Sequence, residues 1–453
     1  MMPQQTLGPR PLALNKTLEK RQAASAFSPP LTPPHRTDTH ASKTIELDLQ
    51  SSPITRAERP LVAVIGVGYV GTHLVETFSR GFDTLGFDIS DKRISEVQPM
   101  FKGNERVMLS SITDDLDDAT HFLISVPTLL RPDRSVDASY LRSALRTVAT
   151  HARRGSTVVI ESSVAIGMTR ELLGPLAKDC GFFVGMSPER VDPGRTEPPA
   201  YDIPKVVSGL DDVAPGSLDS ILRLYSAVFN HVVPVSKPEV AEMTKLYENC
   251  QRMMCIAYAN EMADACIPHG IDPYEVCGAA ASKPFGYMPY MPGPGVGGHC
   301  IPINPYYLLS NSKFPLLSAA TEAMWRRPAD IAARAIETLE NAGLGKSQPR
   351  VLVVGVGFKP GQSTLSNSPG LDIIKSLAVS SKVDVSFADT MVTQEMVPQV
   401  SRLDDRDWNA DTLEQFDMIL IAMRQVGLDY QRSEQNKTLP NQININQYKT
   451  NQN

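Results

Sequence analysis

A short apolar strand followed by a glycine turn constrains the fold of this chain more than any other feature. The run Leu61–Ile65 contains only apolar residues, and the motif Gly66-Val-Gly-Tyr-Val-Gly71 separates it from a predicted helix that extends to about Arg80. Asp83–Phe87 predicts a second buried strand, and Asp88 follows it directly. A glycine motif between a strand and a helix, with an acidic residue about 20 positions further on, is typical of a dinucleotide-binding βαβ unit.

Each glycine of this motif has a distinct role in binding a dinucleotide. The first makes the tight turn, the second lets a pyrophosphate approach the backbone, and the third allows the helix to pack on the strand. Asp88 can accept hydrogen bonds from ribose hydroxyls and would repel a 2′-phosphate, which favours NAD over NADP, although Arg93 weakens this preference. A glycine turn without a ligand is the alternative interpretation. The predicted cofactor-binding residues of the turn are Gly66, Val67, Gly68, Tyr69, Val70, Gly71 and Asp88.

The alternation of apolar runs with helical stretches predicts the fold class. Before Pro238 the alternation indicates a parallel, doubly wound sheet. Val240–Cys266 contains neither proline nor glycine and predicts one long helix. Further predicted strands are Phe122–Val126, Thr157–Ile160, the strand and turn Val351–Gly357, Val383–Phe387 and Met418–Ala422. We therefore predict an α/β fold in which two Rossmann-like doubly wound domains are joined by a long central helix and a helical middle domain.

Changes in composition divide the chain into five predicted segments. Residues 1–59 form a disordered Pro/Ser-rich tail, and residues 431–453 form a disordered Asn/Gln-rich tail. Between them lie an NAD-binding Rossmann domain (60–236), a helical central domain (237–343) and a second Rossmann-like domain (344–430). The Asn/Gln-rich end is either a genuine extension or the end of a truncated or mispredicted gene product. We favour the second interpretation, in which the second Rossmann-like domain is shortened.

A glycine-rich loop before Cys300 carries the strongest chemical signal of the chain. Glycine occupies positions 293, 295, 297 and 298, and this density lets backbone N–H groups approach a phosphate or a sugar. A thiol at the end of such a loop is placed to attack a bound group. An inert buried thiol is the alternative for a cysteine considered alone. Together with a nicotinamide cofactor, a nucleophilic thiol suggests oxidation through a covalent thioester.

The bulk composition excludes several other classes of function. A formal net charge of −6 gives no reason to expect nucleic acid or an anionic membrane as a partner. The six cysteines form no C-x-x-C pair, so we expect no structural metal site. No apolar run approaches the roughly 20 residues of a membrane-spanning helix, and we expect a cytoplasmic protein.

Several short motifs follow one another along the chain. They are Gly66–Gly71, Val126-Pro-Thr128, Glu161-Ser-Ser-Val164, Ser187-Pro-Glu-Arg190, Ala241–Asn249, Gly297-Gly-His-Cys-Ile-Pro302 and Gly357-Phe-Lys-Pro360. With this set of motifs, spread from Val62 to about Asp429, the chain resembles the UDP-glucose/GDP-mannose dehydrogenase family. Within that family it is most similar to the branch that acts on UDP-N-acetylglucosamine or UDP-N-acetylmannosamine.

The resemblance implies a four-electron oxidation. The family converts the C6 alcohol of a nucleotide sugar to a carboxylate with two NAD. Cys300 would add to the C6 aldehyde as a thiohemiacetal, and a second hydride transfer would give a thioester that water hydrolyses. Lys245 would stabilise negative charge on the C6 oxygen, and Asn249 would lie one turn later on the same helical face. Glu189 would help to handle the water of thioester hydrolysis.

The resemblance also implies the binding residues and the assembly. Thr128, Ser163 and Arg93 would contact the cofactor, whereas Lys359 would pair with the UDP pyrophosphate. The implied substrate-binding residues are Lys245, Asn249, Gly295, Gly297, Gly298 and Lys359. The central domain would form a homodimer or a higher homo-oligomer, the second Rossmann-like domain would bind the UDP-sugar, and the product would serve polysaccharide synthesis. Considered without the family, Lys245 would be a solvated surface lysine and Glu189 a helix cap.

Several positions depart from the family's pattern and bear on activity. The catalytic aspartate that follows the family's cysteine is Asn304 here, and an amide cannot accept a proton at neutral pH. The arginine of the family's Arg-Glu-Ser-Pro motif is Ser366, and the acidic pair before it is Ser363-Thr364. These departures leave open a second hypothesis, a degenerate member that binds NAD or a nucleotide sugar with little or no turnover. A third hypothesis is an NAD oxidoreductase of the 3-hydroxyacyl type, against which the loop before Cys300 argues.

Overall fold

The structure, a computed structural model, describes residues 60–192, 194–195, 197–343, 348–430 and 442–443. The predicted tail 1–59 lies outside the described residues, as does most of the predicted tail 431–453. Short 3₁₀ helices occupy Gln98–Phe101, Thr113–Leu116, Ala200–Asp202, Ile267–His269, Gln394–Met396 and Asp405–Asp407.

Strands and helices alternate in the first α/β unit. Its strands are β1 (Leu61–Ile65), β2 (Asp83–Phe87), β3 (Val107–Ser110), β4 (His121–Ile124), β5 (Leu129–Leu130), β6 (Val136–Asp137), β7 (Thr157–Ile160), β8 (Phe183–Met186), β9 (Lys205–Gly209) and β10 (Val232–Pro234). Its helices are α1 (Tyr69–Phe78), α2 (Asp91–Val97), α3 (Ser139–His151), α4 (Met168–Cys180) and α5 (Ser217–Tyr225). Strands β5 and β6 form a separate hairpin, and the others form one sheet in the order β10-β9-β8-β7-β4-β1-β2-β3.

Both faces of this sheet are buried, as the apolar runs of its strands predict. Ala63 and Ile65 pack in one apolar cluster with Phe122. Val62 and Val64 point to the opposite face and pack in a second cluster. The strict alternation along β1 follows from the two-residue period of a strand. The predicted α/β class with a doubly wound sheet is confirmed.

One strand pair departs from the prediction of a parallel sheet. Strand β9 runs antiparallel to β8, with Gly185 opposite Gly209 and Met186 opposite Ser208. The connection between these strands is a loop with one short 3₁₀ helix rather than a crossover α-helix. Without a crossover helix the chain turns back beside the strand it has just left. The start of β9 therefore lies at the same sheet edge as the end of β8.

A helical middle part follows the first unit. Its helices are α6 (Pro238–Cys266), α7 (Pro273–Ala281), α8 (Asn304–Leu309) and α9 (Pro315–Asn341). Helix α6 begins two residues before the prediction because Pro238 occupies its first turn, where proline needs no hydrogen-bond partner for its nitrogen. The buried Glu242 carboxylate of α6 accepts hydrogen bonds from Gly167 N at 2.6 Å and Thr169 N at 2.8 Å at the start of α4. This contact fixes the long helix against the first α/β unit.

The second α/β unit repeats the plan of the first. It contains β11 (Arg350–Val354), α10 (Pro369–Ser380), β12 (Asp384–Ala388), β13 (Ser401–Arg402), α11 (Ala410–Leu413), β14 (Met418–Ile421) and β15 (Gln442–Ile443). The sheet order is β13-β12-β11-β14-β15. Gly355 follows β11 with φ +79°, as Gly66 follows β1 with φ +91°. Asp389 follows β12 as Asp88 follows β2, but its fully buried carboxylate accepts backbone N–H groups of Val356 and Gly357.

The prediction of disorder is wrong for two residues of the Asn/Gln-rich end. Gln442 and Ile443 pair in parallel with Ile419 and Leu420 of β14. An edge strand offers unpaired backbone groups, and the alternating Asn-Ile pattern of this segment has the period of a strand. Backbone pairing at the sheet edge therefore overrides the polar composition.

Candidate active site

The glycine turn after β1 leaves an open surface at one position and a tight contact at another. A Cβ atom added at Gly71 would lie 1.8 Å from the carbonyl oxygen of Gly66, so the third glycine lets α1 pack on β1. A Cβ atom at Gly68 would meet no atom within 4 Å. Helix α1 begins at Tyr69 with no side-chain cap, which leaves its first N–H groups available to a phosphate. These features fit the pyrophosphate of NAD.

Asp88 and Arg93 form hydrogen bonds with the backbone of this turn. One oxygen of the Asp88 carboxylate accepts a hydrogen bond from Val67 N at 3.1 Å, and the other accepts one from Ser90 N at 3.0 Å. The Nε atom of Arg93 donates to the carbonyl oxygen of Val67 at 2.8 Å. The two residues that the sequence places near the cofactor therefore also set the backbone of the turn.

A pair of alanine substitutions separates folding from cofactor binding at this turn. Gly71→Ala should lower the free energy of unfolding by about 1–3 kcal/mol or more, because its Cβ atom meets a backbone oxygen. Gly68→Ala should change that free energy by less than about 0.5 kcal/mol, because its Cβ atom points into open space. The same Gly68→Ala variant should weaken NAD binding at least about tenfold. Denaturant unfolding and calorimetric titration with NAD measure the two effects. Unchanged NAD affinity in Gly68→Ala would contradict a pyrophosphate at this turn.

Thr128 and Ser163 are joined by a hydrogen bond and lie next to α8 of the helical middle part. The Thr128 hydroxyl donates to the carbonyl oxygen of Ser163 at 2.7 Å. The Tyr307 hydroxyl, from α8, donates to the carbonyl oxygen of Thr128 at 2.9 Å. The predicted cofactor contacts at Thr128 and Ser163 are thereby tied to the helix that follows the Cys300 loop.

The loop that carries Cys300 is held by the second α/β unit. Gly298 N donates to the carbonyl oxygen of Ser366 at 2.9 Å, and the Asn367 amide donates to the carbonyl oxygen of Gly298 at 2.9 Å. The carbonyl oxygen of Cys300 accepts the backbone N–H of Asn304, the first residue of α8, at 2.9 Å. The thiol therefore sits between a docked glycine and the start of a helix.

The glycines of this loop have a structural reason that the sequence did not reveal. A Cβ atom at Gly297 would lie 2.9 Å from the Phe358 side chain, and one at Gly298 would lie 2.8 Å from its ring. Gly295 has φ +142°, and a Cβ atom there would lie 3.2 Å from the carbonyl oxygen of Met324. Close approach of neighbouring protein groups thus explains these glycines, and their contact with a sugar nucleotide stays a prediction.

Lys245 and Asn249 lie on the buried face of α6, as their spacing predicts. Lys245 is 8% exposed, so the alternative of a solvated surface lysine is wrong. Burial lowers the pKa of Lys245, and the neighbouring Cys300 and Glu189 act in the opposite direction. The Asn249 amide donates to the side-chain oxygen of Asn304 at 2.5 Å. The structure therefore joins Asn249 to Asn304 by a hydrogen bond, and Cys300 acts electrostatically on the buried Lys245.

Glu189 is a buried carboxylate with defined partners. One oxygen accepts hydrogen bonds from the backbone N–H groups of Arg190 at 2.6 Å and Val191 at 3.0 Å. The other accepts one from the Lys205 ammonium group at 2.7 Å. Burial has the largest effect and acts to raise the pKa of Glu189, but Lys205, the Arg190 N–H group and Lys245 together hold this pKa below its usual value. Residues 187–192 contain no helix, so the alternative of a helix cap at Glu189 is wrong.

Lys359 joins the two α/β units. Its ammonium group lies 3.2 Å from a carboxylate oxygen of Asp192, which follows Glu189 in the loop between β8 and β9. Gln362 lies beside Gly194 of the same loop, 2.6 Å from the position that a Cβ atom would take. A pyrophosphate bound by Lys359 would therefore compete with Asp192 for the ammonium group.

Neither metal binding nor membrane insertion has support in the described part of the chain. Within it, no three His, Cys, Asp or Glu side chains are grouped to hold a metal ion. Its helices also include none with the length and apolarity needed to cross a bilayer. Burial raises the pKa of the Cys250 thiol to about 12, which disfavours the thiolate form at this cysteine.

Comparison with known proteins agrees with the fold and with the predicted family. Two family models match the chain, the NAD-binding domain of the UDP-glucose/GDP-mannose dehydrogenase family over residues 60–229 and its central domain over residues 239–323. The UDP-N-acetyl-D-mannosamine dehydrogenase of Pyrococcus horikoshii is 34% identical over 345 residues, which cover 71% of this chain and 81% of that protein. The UDP-N-acetyl-D-glucosamine 6-dehydrogenase of Salmonella typhi is 32% identical, with coverage of 72% and 81%.

A solved structure shows the same architecture. The UDP-D-ManNAc dehydrogenase of Pyrococcus horikoshii has a TM-score of 0.73 at 29% identity and covers 82% of this chain and 91% of that chain. The fold and the glycine turn define an NAD-dependent oxidoreductase. The chain belongs to the UDP-glucose/GDP-mannose dehydrogenase family.

Proposed function

We propose that this enzyme oxidises the C6 alcohol of a UDP-N-acetylhexosamine to a carboxylate in two steps, through a covalent intermediate on Cys300. The observation that carries the proposal is the burial of Lys245, together with the electrostatic influence of Cys300 and Glu189 on this lysine. A thiol, a cation and a carboxylate are the groups that thioester formation and hydrolysis require. The carboxylated product would serve as a precursor for polysaccharide synthesis.

The residues of this site divide the reaction between them. NAD, when bound at the glycine turn, accepts one hydride in each of the two oxidations. The Cys300 sulfur adds to the C6 aldehyde and carries the resulting thiohemiacetal and then the thioester. The buried Lys245 ammonium group stabilises negative charge on the C6 oxygen, which is most effective away from water. The Glu189 carboxylate accepts a proton from the attacking water.

The second α/β unit is proposed to hold the UDP part of the substrate. Lys359 is positioned near the loop that carries Glu189, as its ion pair with Asp192 indicates. The chemistry of a lysine at a glycine turn suits a pyrophosphate. In this proposal substrate binding replaces the Lys359–Asp192 contact with a Lys359–pyrophosphate contact.

The substrate class is proposed from the relatives, which act on either epimer of a UDP-N-acetylhexosamine. NADH formation should be followed by absorbance with UDP-N-acetylglucosamine, UDP-N-acetylmannosamine and UDP-glucose. We expect turnover with at least one of the two N-acetylated sugars, and at least about tenfold lower kcat/KM with UDP-glucose. Equal kcat/KM for all three sugars would contradict the substrate class, and no NADH with any of them would contradict the reaction.

An apolar stripe on the long helix supports a homodimer. Tyr247, Tyr258 and Met262 lie on one side of α6 and expose between 48% and 69% of their surface. Ile267 and Ile271, just beyond the end of the helix, are also exposed. Several exposed large apolar side chains on one side of a helix are typical of an interface between proteins. We propose that a second copy of the chain covers this stripe.

A charge in the stripe should separate the two chains. Tyr258→Glu should convert a species with the mass of two chains into one with the mass of a single chain, because a carboxylate is costly in an apolar interface. Light scattering after size-exclusion chromatography measures the mass. Tyr140→Glu is the matched control, since Tyr140 is an exposed tyrosine on α3 of the first α/β unit. Equal masses for both variants would contradict this interface.

A further inference from the structure

Glu189 belongs to a buried ionic cluster. The Lys205 ammonium group donates to Glu161 at 2.7 Å and to Glu189 at 2.7 Å. The second oxygen of Glu161 accepts a hydrogen bond from the Tyr225 hydroxyl. All four side chains are buried, with at most 9% exposure. The reaction described above uses Glu189 but assigns nothing to the other three.

The antiparallel strand pair explains how this cluster forms. In the antiparallel pair, Met186 at the end of β8 lies opposite Ser208, so Glu189 just after β8 lies on the same side as Lys205, the first residue of β9. Strand β7 lies on the other side of β8 and ends immediately before Glu161, with Ile160 opposite Met186. The reversal of β9 therefore brings a lysine to the sheet edge where the two glutamates emerge.

We propose that Lys205 and Glu161 are positioning residues that hold Glu189 as an oriented carboxylate toward Lys245 and Cys300. This inference rests on the proposed role of Glu189 in thioester hydrolysis. Two backbone N–H groups fix one oxygen of Glu189, and Lys205 fixes the other. Glu161 in turn fixes Lys205, because a buried ammonium group with one carboxylate partner would be free to rotate away from it.

The charges of the cluster indicate which of its two carboxylates is protonated first. Two carboxylates share one ammonium group, so the cluster carries one excess negative charge when both are ionised. Burial raises the pKa of Glu161 to about 7, although Lys205 acts against this shift. Lys205 holds the pKa of Glu189 below its usual value. As the pH falls, Glu161 therefore takes up a proton first, and Glu189 remains a carboxylate.

Other groups around Glu189 act in the same system. Its electrostatic neighbours are Lys205 on β9, Glu161 after β7, Lys245 on α6, Tyr69 on α1 and Tyr225 on α5. Burial and the nearby Glu161 raise the pKa of Tyr225 well above its usual value, so this hydroxyl stays protonated and keeps donating to Glu161. The Phe229 ring lies 5.5 Å from the Lys205 ammonium group and closes the cluster on one side. Within this set, Lys205 is the cation that contacts Glu189 directly.

The test compares two substitutions that differ in the charge they remove. Lys205→Met deletes the cation and keeps an unbranched side chain that is one atom shorter. Glu161→Gln removes the charge of Glu161 and keeps a polar contact on each side, since its oxygen can accept from Lys205 and its amide can donate to the Tyr225 oxygen, which reverses the wild-type hydrogen bond. The full chain is labelled with ¹³C at glutamate side-chain carboxyl carbons, and Glu189→Gln identifies the Glu189 signal. The signal is then titrated with pH, alongside the pH profile of kcat for NADH formation.

The expected results differ between the variants. Wild-type Glu189 should titrate below about 4.3, the ordinary value for glutamate. Lys205→Met should raise its titration midpoint by about one to three pH units and move the acid limb of kcat in the same direction. Glu161→Gln should remove the titration near pH 7 and leave the midpoint of Glu189 within about half a unit of wild type.

Other outcomes overturn the inference. A wild-type Glu189 that titrates above its ordinary range would overturn it even if Lys205→Met does not fold. A Glu189 midpoint unchanged in a folded Lys205→Met variant would reduce Lys205 to a structural role. If wild-type protein forms no NADH with any UDP-sugar, the proposed reaction fails, but the titration of Glu189 still decides the role of Lys205.

Discussion

Cys300→Ala should lower the steady rate of NADH formation from a UDP-sugar by at least about a thousandfold. Without the thiol the C6 aldehyde cannot be held as a thiohemiacetal, so the second hydride transfer loses its donor and no thioester forms. The loop itself should stay in place, because the Ser366 carbonyl oxygen and the Asn367 side-chain amide hold the backbone of Gly298, which the substitution does not change. The loss should therefore appear in kcat rather than in NAD binding.

The control for this prediction is another cysteine. Cys180→Ala removes a thiol at the end of α4, in the first α/β unit, and should leave the rate unchanged. Aldehyde released by Cys300→Ala should be trapped by semicarbazide, because the first oxidation needs no thiol. A Cys300→Ala variant that keeps more than about a tenth of the wild-type rate would contradict the covalent route.

Asn304→Asp should raise kcat by about a hundredfold, within the range that a general base contributes. The resemblance described from the sequence implies an aspartate at this position, and the amide of this chain cannot take up a proton. The new carboxylate should keep the present geometry, since the Asn249 amide already donates to the side-chain oxygen of residue 304 at 2.5 Å. Stopped-flow and steady-state NADH measurements give the change.

Asn304→Ala is the matched control, because it removes the side-chain oxygen and gains no base. It should be no faster than wild type. If the wild-type enzyme is active and Asn304→Asp is no faster, the hypothesis of a missing base at position 304 is contradicted. Proton transfer would then be assigned to Glu189 or Lys245. If the wild-type enzyme is inactive and Asn304→Asp is inactive too, the defect lies in the altered 361–369 loop, as the degenerate-member hypothesis expects.

Local sequence patterns predicted the elements that carry the site. The apolar run before Gly66 and the glycine spacing predicted β1, the turn and the start of α1, because each depends on neighbouring residues alone. The four-residue spacing of Lys245 and Asn249 predicted a shared helical face, which the structure buries. Helix α6 differs from its prediction only by its first turn, where Pro238 is tolerated.

Local sequence patterns could not predict contacts between residues that are far apart in the chain. Lys205 and Glu161 are 44 positions apart in the sequence and form a hydrogen bond only because β9 reverses its direction in the sheet. A lysine before the apolar run of β9 and a glutamate directly after β7 were the available signal, since charged residues that flank buried strands gather at sheet edges. The glycines at 297 and 298 suggested a ligand, whereas the structure places Phe358 against them. Backbone pairing of β15 at a sheet edge likewise leaves little trace in an Asn/Gln-rich composition.

The most direct test of the proposed reaction is the number of NADH formed for each UDP-sugar consumed. The full chain should be incubated with excess NAD and a limiting amount of UDP-N-acetylmannosamine or UDP-N-acetylglucosamine, and NADH and the sugar nucleotide should be quantified at completion. The account predicts two NADH for each sugar and a product with a C6 carboxylate. One NADH for each sugar with an aldehyde product, or consumption without NADH, would contradict oxidation through a Cys300 thioester.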